Sequence, residues 1–396
     1  MVTDSMEESR RSETIEDPPS QNRWRITREL LVLFLRMGFV AFGGPVAHVA
    51  MMEGEIVRKR GWLDRGHFMD LLALTNLVPG PNSTQMIMHV GFVRGGDWGT
   101  WIAGLAFILP AFAITLALSW FYVSLGTLPA VEALFFGIKP VIVALIATAL
   151  WRMTQKEIRS LEAGILFFGA ATLAALGVTE ILVMALGGLW GLARALKDRY
   201  TLSMFPLLSW VAYTGEAGST PEANLGTLAL LFLRFGATLY GSGYLLIAFI
   251  QNDLVGRLGW LSNQQLLDAI ALGQMTPGPI LTTSTAVGYI VAGVPGAIVS
   301  TAAIFLPSFF FVMWVGRWMD RLRASPVARS ILDGILPAVL GVIFVVAWRL
   351  GQDALVDPFS VIVALVAGVA LVRWRLDSVI VILIAAAFGY AWKILL

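Results

Sequence analysis

The sequence of 396 residues contains no cysteine, only three histidines and a small share of charged residues. Without cysteine the chain has no disulfides, no thiolate metal ligands and no cysteine nucleophile, and three histidines are too few to assemble a zinc centre alone. We therefore expect no metal, no cofactor and no enzymatic activity. The 28 Lys and Arg residues nearly balance the 26 Asp and Glu residues, so the net charge of +2 gives no reason to expect a nucleic acid partner.

The chain consists mostly of apolar sequence. Hydrophobic residues make up 57% of it and charged residues 14%, and the mean hydropathy is +0.77. Its apolar segments cluster around the roughly 20 residues that a helix needs to cross about 30 Å of hydrocarbon. This composition predicts an all-α polytopic membrane protein. Residues 1–22 are polar, and we expect them to form a disordered tail.

Four of the apolar segments are interrupted by proline and glycine. The interruptions are Phe42-Gly43-Gly44-Pro45, Pro79-Gly80-Pro81, Tyr240-Gly241-Ser242-Gly243 and Pro277-Gly278-Pro279. Proline removes a backbone donor and glycine relaxes the backbone, so helices should unwind at these points. Unwound backbone at membrane depth is tolerated only where protein or a water-filled cavity satisfies it. Each broken segment is therefore predicted to be either a broken spanning helix or a re-entrant hairpin, and we favour the hairpin.

The chain also repeats itself. A separation of 198 residues pairs Arg36 with Arg234, Glu55 with Asp253, Asp70 with Asp268, and Pro79-Gly80-Pro81 with Pro277-Gly278-Pro279. After a one-residue gap the separation becomes 197, which pairs Leu109-Pro110 with Leu306-Pro307 and Trp151-Arg152 with Trp348-Arg349. We call residues paired in this way repeat mates. The pattern predicts a first repeat over 23–200, a connector over 201–223 and a second repeat over 224–396.

Positive charge changes sides between equivalent loops of the two repeats. The loop over 53–67 contains four basic residues, Arg58, Lys59, Arg60 and Arg65, whereas its counterpart over 251–265 contains only Arg257. Because cytoplasmic loops are enriched in Lys and Arg, the repeats are predicted to have inverted topology, with the N-terminus cytoplasmic and the C-terminus periplasmic. Inverted repeats with broken helices are typical of secondary transporters. No Walker-type loop occurs, so we expect an ion or solute gradient to drive transport.

The breaks are the predicted binding site, because a half-helix that starts at depth presents unpaired N–H groups suited to an anion. The candidate substrate positions at the breaks are Gly43, Gly44, Pro45, Asn76, Pro79, Gly80, Pro81, Asn82, Ser83, Thr84, Gln85, Gly241, Pro277, Gly278, Pro279, Thr282 and Thr283. The alternative is that these polar side chains only cap the restarted helices or bond to i−4 carbonyls.

A few charged or titratable residues lie within the apolar segments. Arg36, Arg234 and Lys139 are candidates for binding the anion, because a cation at that depth costs about 3 kcal/mol unless a partner offsets it. His48 is a candidate to bind an oxyanion or carry protons, although a packing role is the commoner use of a lone histidine. Glu55, Asp70 and Asp268 are candidates for proton coupling. For the two aspartates the equal alternative is a favourable interaction with the helix dipole in a first helical turn. A membrane enzyme using His48, Glu55 and Asp70 is the rival function class, but no nucleophile–base spacing supports it.

The first copy resembles the chromate ion transporter (ChrA, CHR) family. The resemblance rests on Phe42-Gly43-Gly44-Pro45 with His48, on Gly61-Trp62-Leu63, on Pro79 through Gln85, and on Phe107-Ile108-Leu109-Pro110. The duplicated chain is similar to the long two-domain form. The resemblance implies export of chromate across the bacterial inner membrane, coupled to protons or to a counter-anion, with sulfate as the competing substrate. The lipid bilayer is the expected surroundings, and a homodimer is one arrangement that the sequence leaves open. The second copy departs from the family pattern, because it lacks the Gly-Gly-Pro element and a histidine equivalent to His48.

Overall fold

A computed structural model describes residues 19–42, 44–126, 128–197, 223–241, 243–316 and 325–395. Within these ranges the secondary structure is helical, which confirms the all-α fold class. The first repeat contributes α1 (Pro19–Val40), α2 (Gly44–Met52), α3 (Arg65–Thr75), α4 (Asn82–Leu125), α5 (Pro129–Glu157), α6 (Leu161–Ala175) and α7 (Glu180–Lys197). The second contributes α8 (Leu225–Thr238), α9 (Leu245–Ile250), α10 (Asn263–Gln274), α11 (Thr283–Gly316), α12 (Pro326–Ala354), α13 (Pro358–Arg373) and α14 (Ser378–Leu395).

The first helix starts earlier than the polar sequence suggested. Helix α1 begins at Pro19, inside the segment that we expected to be a disordered tail, and proline is well suited to the first position of a helix. The rest of that tail, residues 1–18, lies outside the described residues, as does the apolar part of the predicted connector.

In the described part of the chain, four stretches of helix are long and apolar enough to cross a bilayer. They are Asn82–Leu125, Pro129–Glu157, Ile280–Val315 and Pro326–Ala354, two from each repeat and at equivalent positions. Shorter apolar helices occur at Leu161–Ala175, Leu225–Thr238, Pro358–Arg373 and Ser378–Lys393. The chain is therefore a multi-pass membrane protein built from two copies of one pattern.

Each Pro-Gly-Pro loop joins two short helical arms, and we call each such pair of arms with its loop a hairpin. Helix α4 is kinked at Gly95 and Gly96, and α11 is kinked at their repeat mates Ala292 and Gly293. The arm of α4 before its kink and the preceding helix α3 are each roughly 15–20 Å long at 1.5 Å per residue, which is too short to cross the hydrocarbon core. Helix α10 and the corresponding arm of α11 have similar lengths. Neither arm of either hairpin is therefore long enough to cross the bilayer alone, as a re-entrant hairpin requires.

The other pair of breaks also reverses the chain. Helices α2 and α9 continue into π-helical turns, Glu53–Lys59 and Gln251–Arg257. Arg234 on α8 forms an ion pair with Asp253 in the second of these turns. A continuous helix would separate these two residues by about 28 Å at 1.5 Å per residue. The chain must therefore fold back at the break, so that these segments also form hairpins.

The two repeats interlock. Helix α5 of the first repeat packs against α13 and α14 of the second, and α12 of the second packs against α6 and α7 of the first. Glycines let the backbones come together, since a Cβ placed on Gly334 of α12 would collide with the carbonyl of Gly187 on α7. Helices α4 and α11 pack against each other at the centre. The repeats are thus two halves of one folded unit.

Candidate functional site

The tips of all four hairpins meet in two equivalent contacts. The backbone N–H of Gly80 donates a 2.6 Å hydrogen bond to the carbonyl of Leu239, and the N–H of Gly278 donates a 2.9 Å hydrogen bond to the carbonyl of Ala41. Gly80 and Gly278 are repeat mates, as are Ala41 and Leu239. Each Pro-Gly-Pro loop therefore binds the helix break of the other repeat, and the breaks that we predicted to form one site are brought together.

Glycine is required in both Pro-Gly-Pro loops. Gly80 and Gly278 have φ values of +132° and +102°, which side chains rarely adopt. A Cβ at Gly80 would lie 2.6 Å from the hydroxyl oxygen of Ser308, and a Cβ at Gly278 would lie 2.9 Å from the Cβ of Ala111. Ser308 and Ala111 are themselves repeat mates. The loops are thus pressed against the opposite repeat in the same way.

Several of the predicted polar residues are engaged in local hydrogen bonds. The amide nitrogen of Gln85 donates to the carbonyl of Pro79 at 2.6 Å, and the hydroxyl of Thr282 donates to the carbonyl of Pro279 at 2.9 Å. Asn82 donates to the side-chain oxygen of Asn76 at 2.7 Å. The contacts of these residues stabilise the loops and the first turns of the helices that follow, as the capping alternative describes.

Other polar atoms at the tips are buried without such a bond. The hydroxyls of Thr84, Thr283, Ser284 and Ser308 and the amide oxygen of Gln85 have no hydrogen-bond partner among the described residues. A buried hydroxyl normally has a partner, because leaving it unpaired costs roughly 1–3 kcal/mol. Ser83 is buried nearby on the first turn of α4. Ser308 was missed by the sequence reasoning, and its place directly after the repeated Leu-Pro pair was the only signal that could have found it.

His48 stabilises the break of the first repeat. Its Nε2 lies 2.9 Å from the carbonyl oxygen of Ala41, the same oxygen that accepts from Gly278. The ring is buried and contacts the edge of Phe107. Gly44 and Pro45 begin α2, while Gly43 lies outside the described residues. In the second copy Leu246 stands at the position of His48, and Gly241 provides a positive φ of +76° at the break.

The two predicted arginines lie on the arms of the hairpins, close to repeat-mate carboxylates. Arg234 forms an ion pair with Asp253, which also binds Arg257 at 3.0 Å. Arg36 is exposed, and its charge acts on Glu55. Glu55 itself is bound directly by Lys59 at 2.6 Å. Glu55 is therefore held in a cluster of charges on the hairpin arm.

Lys139 and Asp268, which the sequence reasoning treated separately, form one ion pair between the repeats. The ammonium nitrogen of Lys139 on α5 lies 3.4 Å from Oδ1 of Asp268 on α10, and the hydroxyl of Tyr122 on α4 donates a 2.7 Å hydrogen bond to Oδ2. The Asp268 side chain is 7% exposed and that of Lys139 22%. Asp70, the repeat mate of Asp268, is half-buried on α3. Tyr122 was missed by the sequence reasoning, because no motif or repeated pattern marks it.

Comparison with known proteins finds the same duplication of the chain. The family model described as chromate transporter matches the chain twice, over residues 28–192 and again over 226–390. The chain belongs to the chromate transporter family. The two matches coincide with the two structural repeats, so the resemblance found in the sequence is confirmed for both copies, including the divergent second one.

Relatives of this chromate transporter family member share nearly its full length. The chain is 32% identical over 387 residues to the chromate transport protein of Pseudomonas aeruginosa, covering 91% of each chain. It is 30% identical over 368 residues to the chromate transport protein of Cupriavidus metallidurans, again covering 91% of each. No solved structure is significantly similar to it. Family membership identifies a multi-pass membrane transporter.

Proposed function

We propose that this family member exports chromate from the bacterial cytoplasm across the inner membrane, holding the anion beside the two Pro-Gly-Pro loops. The observation that carries the proposal is the pair of equivalent contacts between the hairpin tips, with buried and unpartnered hydroxyls beside them. Relatives of similar length are chromate transport proteins, which supports the choice of substrate.

The chemistry of the tips suits a tetrahedral dianion. Helices α4 and α11 both start beside the tips, so the positive dipole ends of two helices lie close to them. Hydroxyls of Thr84, Thr283 and Ser284 add neutral donors. A dianion has a large desolvation cost, which several such donors offset together without a metal.

Alternating access follows from the repeat architecture. Two interlocked repeats that meet at a central site can expose it to one side and then to the other by exchanging conformations. The distribution of basic residues supports opposite insertion of the two repeats, with a cytoplasmic N-terminus and a periplasmic C-terminus. Transport is coupled to protons or to exchange with a counter-anion.

The orientation is testable because the chain has no native cysteine. Arg58→Cys and Arg257→Cys each introduce one cysteine into the corresponding turns of the two repeats. An impermeant maleimide applied to intact cells should reach position 257 only, and position 58 should react only after permeabilisation. Labelling of both from the same side would contradict the inverted arrangement.

Sulfate is the second candidate substrate. The hydroxyl and N–H donors at the tips recognise a doubly charged tetrahedral oxyanion without distinguishing its central atom. Purified protein in liposomes, assayed with chromate and with sulfate, separates the two. We expect chromate flux that excess sulfate reduces. Sulfate flux without chromate flux, under any imposed pH gradient, would overturn the choice of chromate.

A further inference from the structure

A line of buried polar side chains leads from the second Pro-Gly-Pro loop toward Asp268. At the loop, the hydroxyl of Thr276 lies 3.5 Å from that of Thr282. The hydroxyl of Thr115 on α4 is 3.3 Å from Thr276. One turn further along α4, the hydroxyl of Ser119 donates to the carbonyl of Thr115 at 2.7 Å. All four side chains are buried, so polar groups continue from the loop into the interface between α4 and α10.

The line continues to the ion pair described above. Tyr122 follows Ser119 by one turn of α4 and donates to Asp268, whose other oxygen faces Lys139. Lys139 and Tyr122 are the titratable groups that act on Asp268. From α11, α12 and the π-helical turn Gln251–Arg257, which also pack around α10, no described titratable side chain contacts it.

The first repeat has no such line. The repeat mates of Thr276, Thr115 and Lys139 are Val78, Val312 and Leu336. Val78 packs with Leu74 and Val315 in a small apolar cluster. The polar route and its cation therefore occur once in the described part of the molecule, although the backbone pattern occurs twice.

The two hairpins also differ in how they pack. Helix α10 is buried without interruption from Leu266 to Gly273, and it contacts α4 and α5 of the other repeat. Helix α3 buries only Phe68, Leu71, Leu74 and Thr75, and it packs mainly against α4 and the neighbouring π-helical turn. The second hairpin is thus packed closely against the opposite repeat. The contacts of Asp268 with Lys139 and Tyr122 lie in that interface.

We propose that Asp268 is the proton-binding residue of this transporter. Protonation of Asp268 leaves Lys139 free to form an ion pair with the transported anion. The inference rests on the proposed function and adds a coupling site to it. A proton added to Oδ1 of Asp268, the oxygen without a hydrogen bond, neutralises the carboxylate. The Lys139 ammonium then lacks a counter-charge in a largely buried place, and the dianion supplies one.

The reverse step restores the closed pair. When the anion leaves, Lys139 regains Asp268 as its partner, and the proton is lost from Oδ1 because a charged carboxylate beside an ammonium is favoured over a neutral acid. One proton therefore travels with each dianion. A single net negative charge crosses per cycle, and an inside-negative membrane potential drives that charge outward.

The test compares Asp268→Asn with its repeat mate Asp70→Asn in liposomes. In wild type we expect chromate flux to rise as the pH on the starting side falls, by up to about tenfold per pH unit, the limit for one titrating group. Asp268→Asn should abolish this dependence yet retain chromate–chromate exchange at equal pH. Asp70→Asn should keep the wild-type pH dependence. Chromate itself takes up protons, but that effect is the same for all three proteins.

The flux measurements distinguish failure of the proposed function from failure of the coupling assignment. If wild type moves no chromate, the proposed function fails. If wild type moves chromate and Asp268→Asn keeps the full pH dependence, the coupling assignment is overturned while the function stands. If Asp268→Asn does not fold, a pH-sensitive dye inside wild-type liposomes decides: chromate entry should acidify the lumen, and chromate entry without proton movement overturns the assignment.

Discussion

The two Pro-Gly-Pro hairpins have the same backbone plan but different surroundings. Both place a glycine of positive φ against the opposite repeat, and both donate from that glycine to the break of the other copy. Among the described residues, only the second hairpin carries a buried acid paired with a cation from the other repeat. The comparison shows that the two copies have kept one backbone geometry at the loops, while the side chains around the two hairpins have diverged.

The largest loss of transport should come from substituting the glycine that both Pro-Gly-Pro loops contain. Gly80→Ala or Gly278→Ala introduces a methyl group into space already filled from the opposite repeat, and it also strains a positive φ. We expect each variant to lose chromate transport almost completely, by at least about tenfold for a barrier change near 1.4 kcal/mol. Gly259→Ala is the matched control, because Gly259 has a φ of +63° but no neighbouring atom within 4 Å of the place that a Cβ would occupy. Transport as low in the control would show that strain alone explains the loss.

The next effect tests whether the second hairpin is more tightly closed than the first. The cysteine-free chain allows Thr115→Cys with Thr276→Cys, whose hydroxyls lie 3.3 Å apart, and the mate pair Val312→Cys with Val78→Cys. Mild oxidation should cross-link the Thr-derived pair rapidly and block transport until a reductant is added. The Val-derived pair should cross-link more slowly, as followed by mass spectrometry. Equal rates would contradict the difference in packing.

A smaller effect, on the stability of the protein, tests the ion pair between Lys139 and Asp268 at the second hairpin. Lys139→Leu introduces the residue found at the repeat mate, Leu336. It leaves Asp268 buried without its cation, which should destabilise the protein by about 3–5 kcal/mol. The double variant Lys139→Leu with Asp268→Leu should recover most of that loss. Thermal unfolding in detergent measures both. Leu336→Met, at the mate position, should change stability by less than about 1.5 kcal/mol. No recovery in the double variant would show that Lys139 acts independently of Asp268.

The smallest effect concerns the one break that contains a histidine. His48→Leu introduces the residue found at the equivalent position of the second copy and removes the bond to the Ala41 carbonyl. The expected cost is about 1 kcal/mol of stability, the usual net value of one hydrogen bond, with chromate transport reduced but retained. His48→Gln, which keeps a donor, should recover part of the loss. Complete loss of transport in both variants, with stability unchanged, would instead indicate a direct role in transport.

Much of this architecture could be predicted from the chain alone. Hydropathy predicted the helices, and the separation of 198 residues predicted the duplication that the family model matches twice. Proline and glycine predicted the breaks, because they act on the backbone within a few residues. The local hydrogen bonds of Gln85 and Thr282 agree with the capping alternative that the sequence left open.

The partners of side chains could not be predicted in the same way. Nothing near Lys139 in the sequence points to Asp268, and Arg234 was expected to face the anion when its contact is with Asp253. Ser308 and Tyr122 carry no pattern of their own. These contacts depend on how helices from different repeats cross, which local sequence does not determine.

The sequence by itself determined that this protein is a duplicated, all-α membrane transporter of the chromate family with unwound helices in each half. Hydrophobicity and backbone chemistry are local properties, and they are repeated in register. Only the tertiary structure decided that the tips of opposite repeats bind each other and that one hairpin is closed by Lys139, Asp268 and Tyr122. A buried charge must find its counter-charge wherever packing places one, and here packing places it in the other repeat.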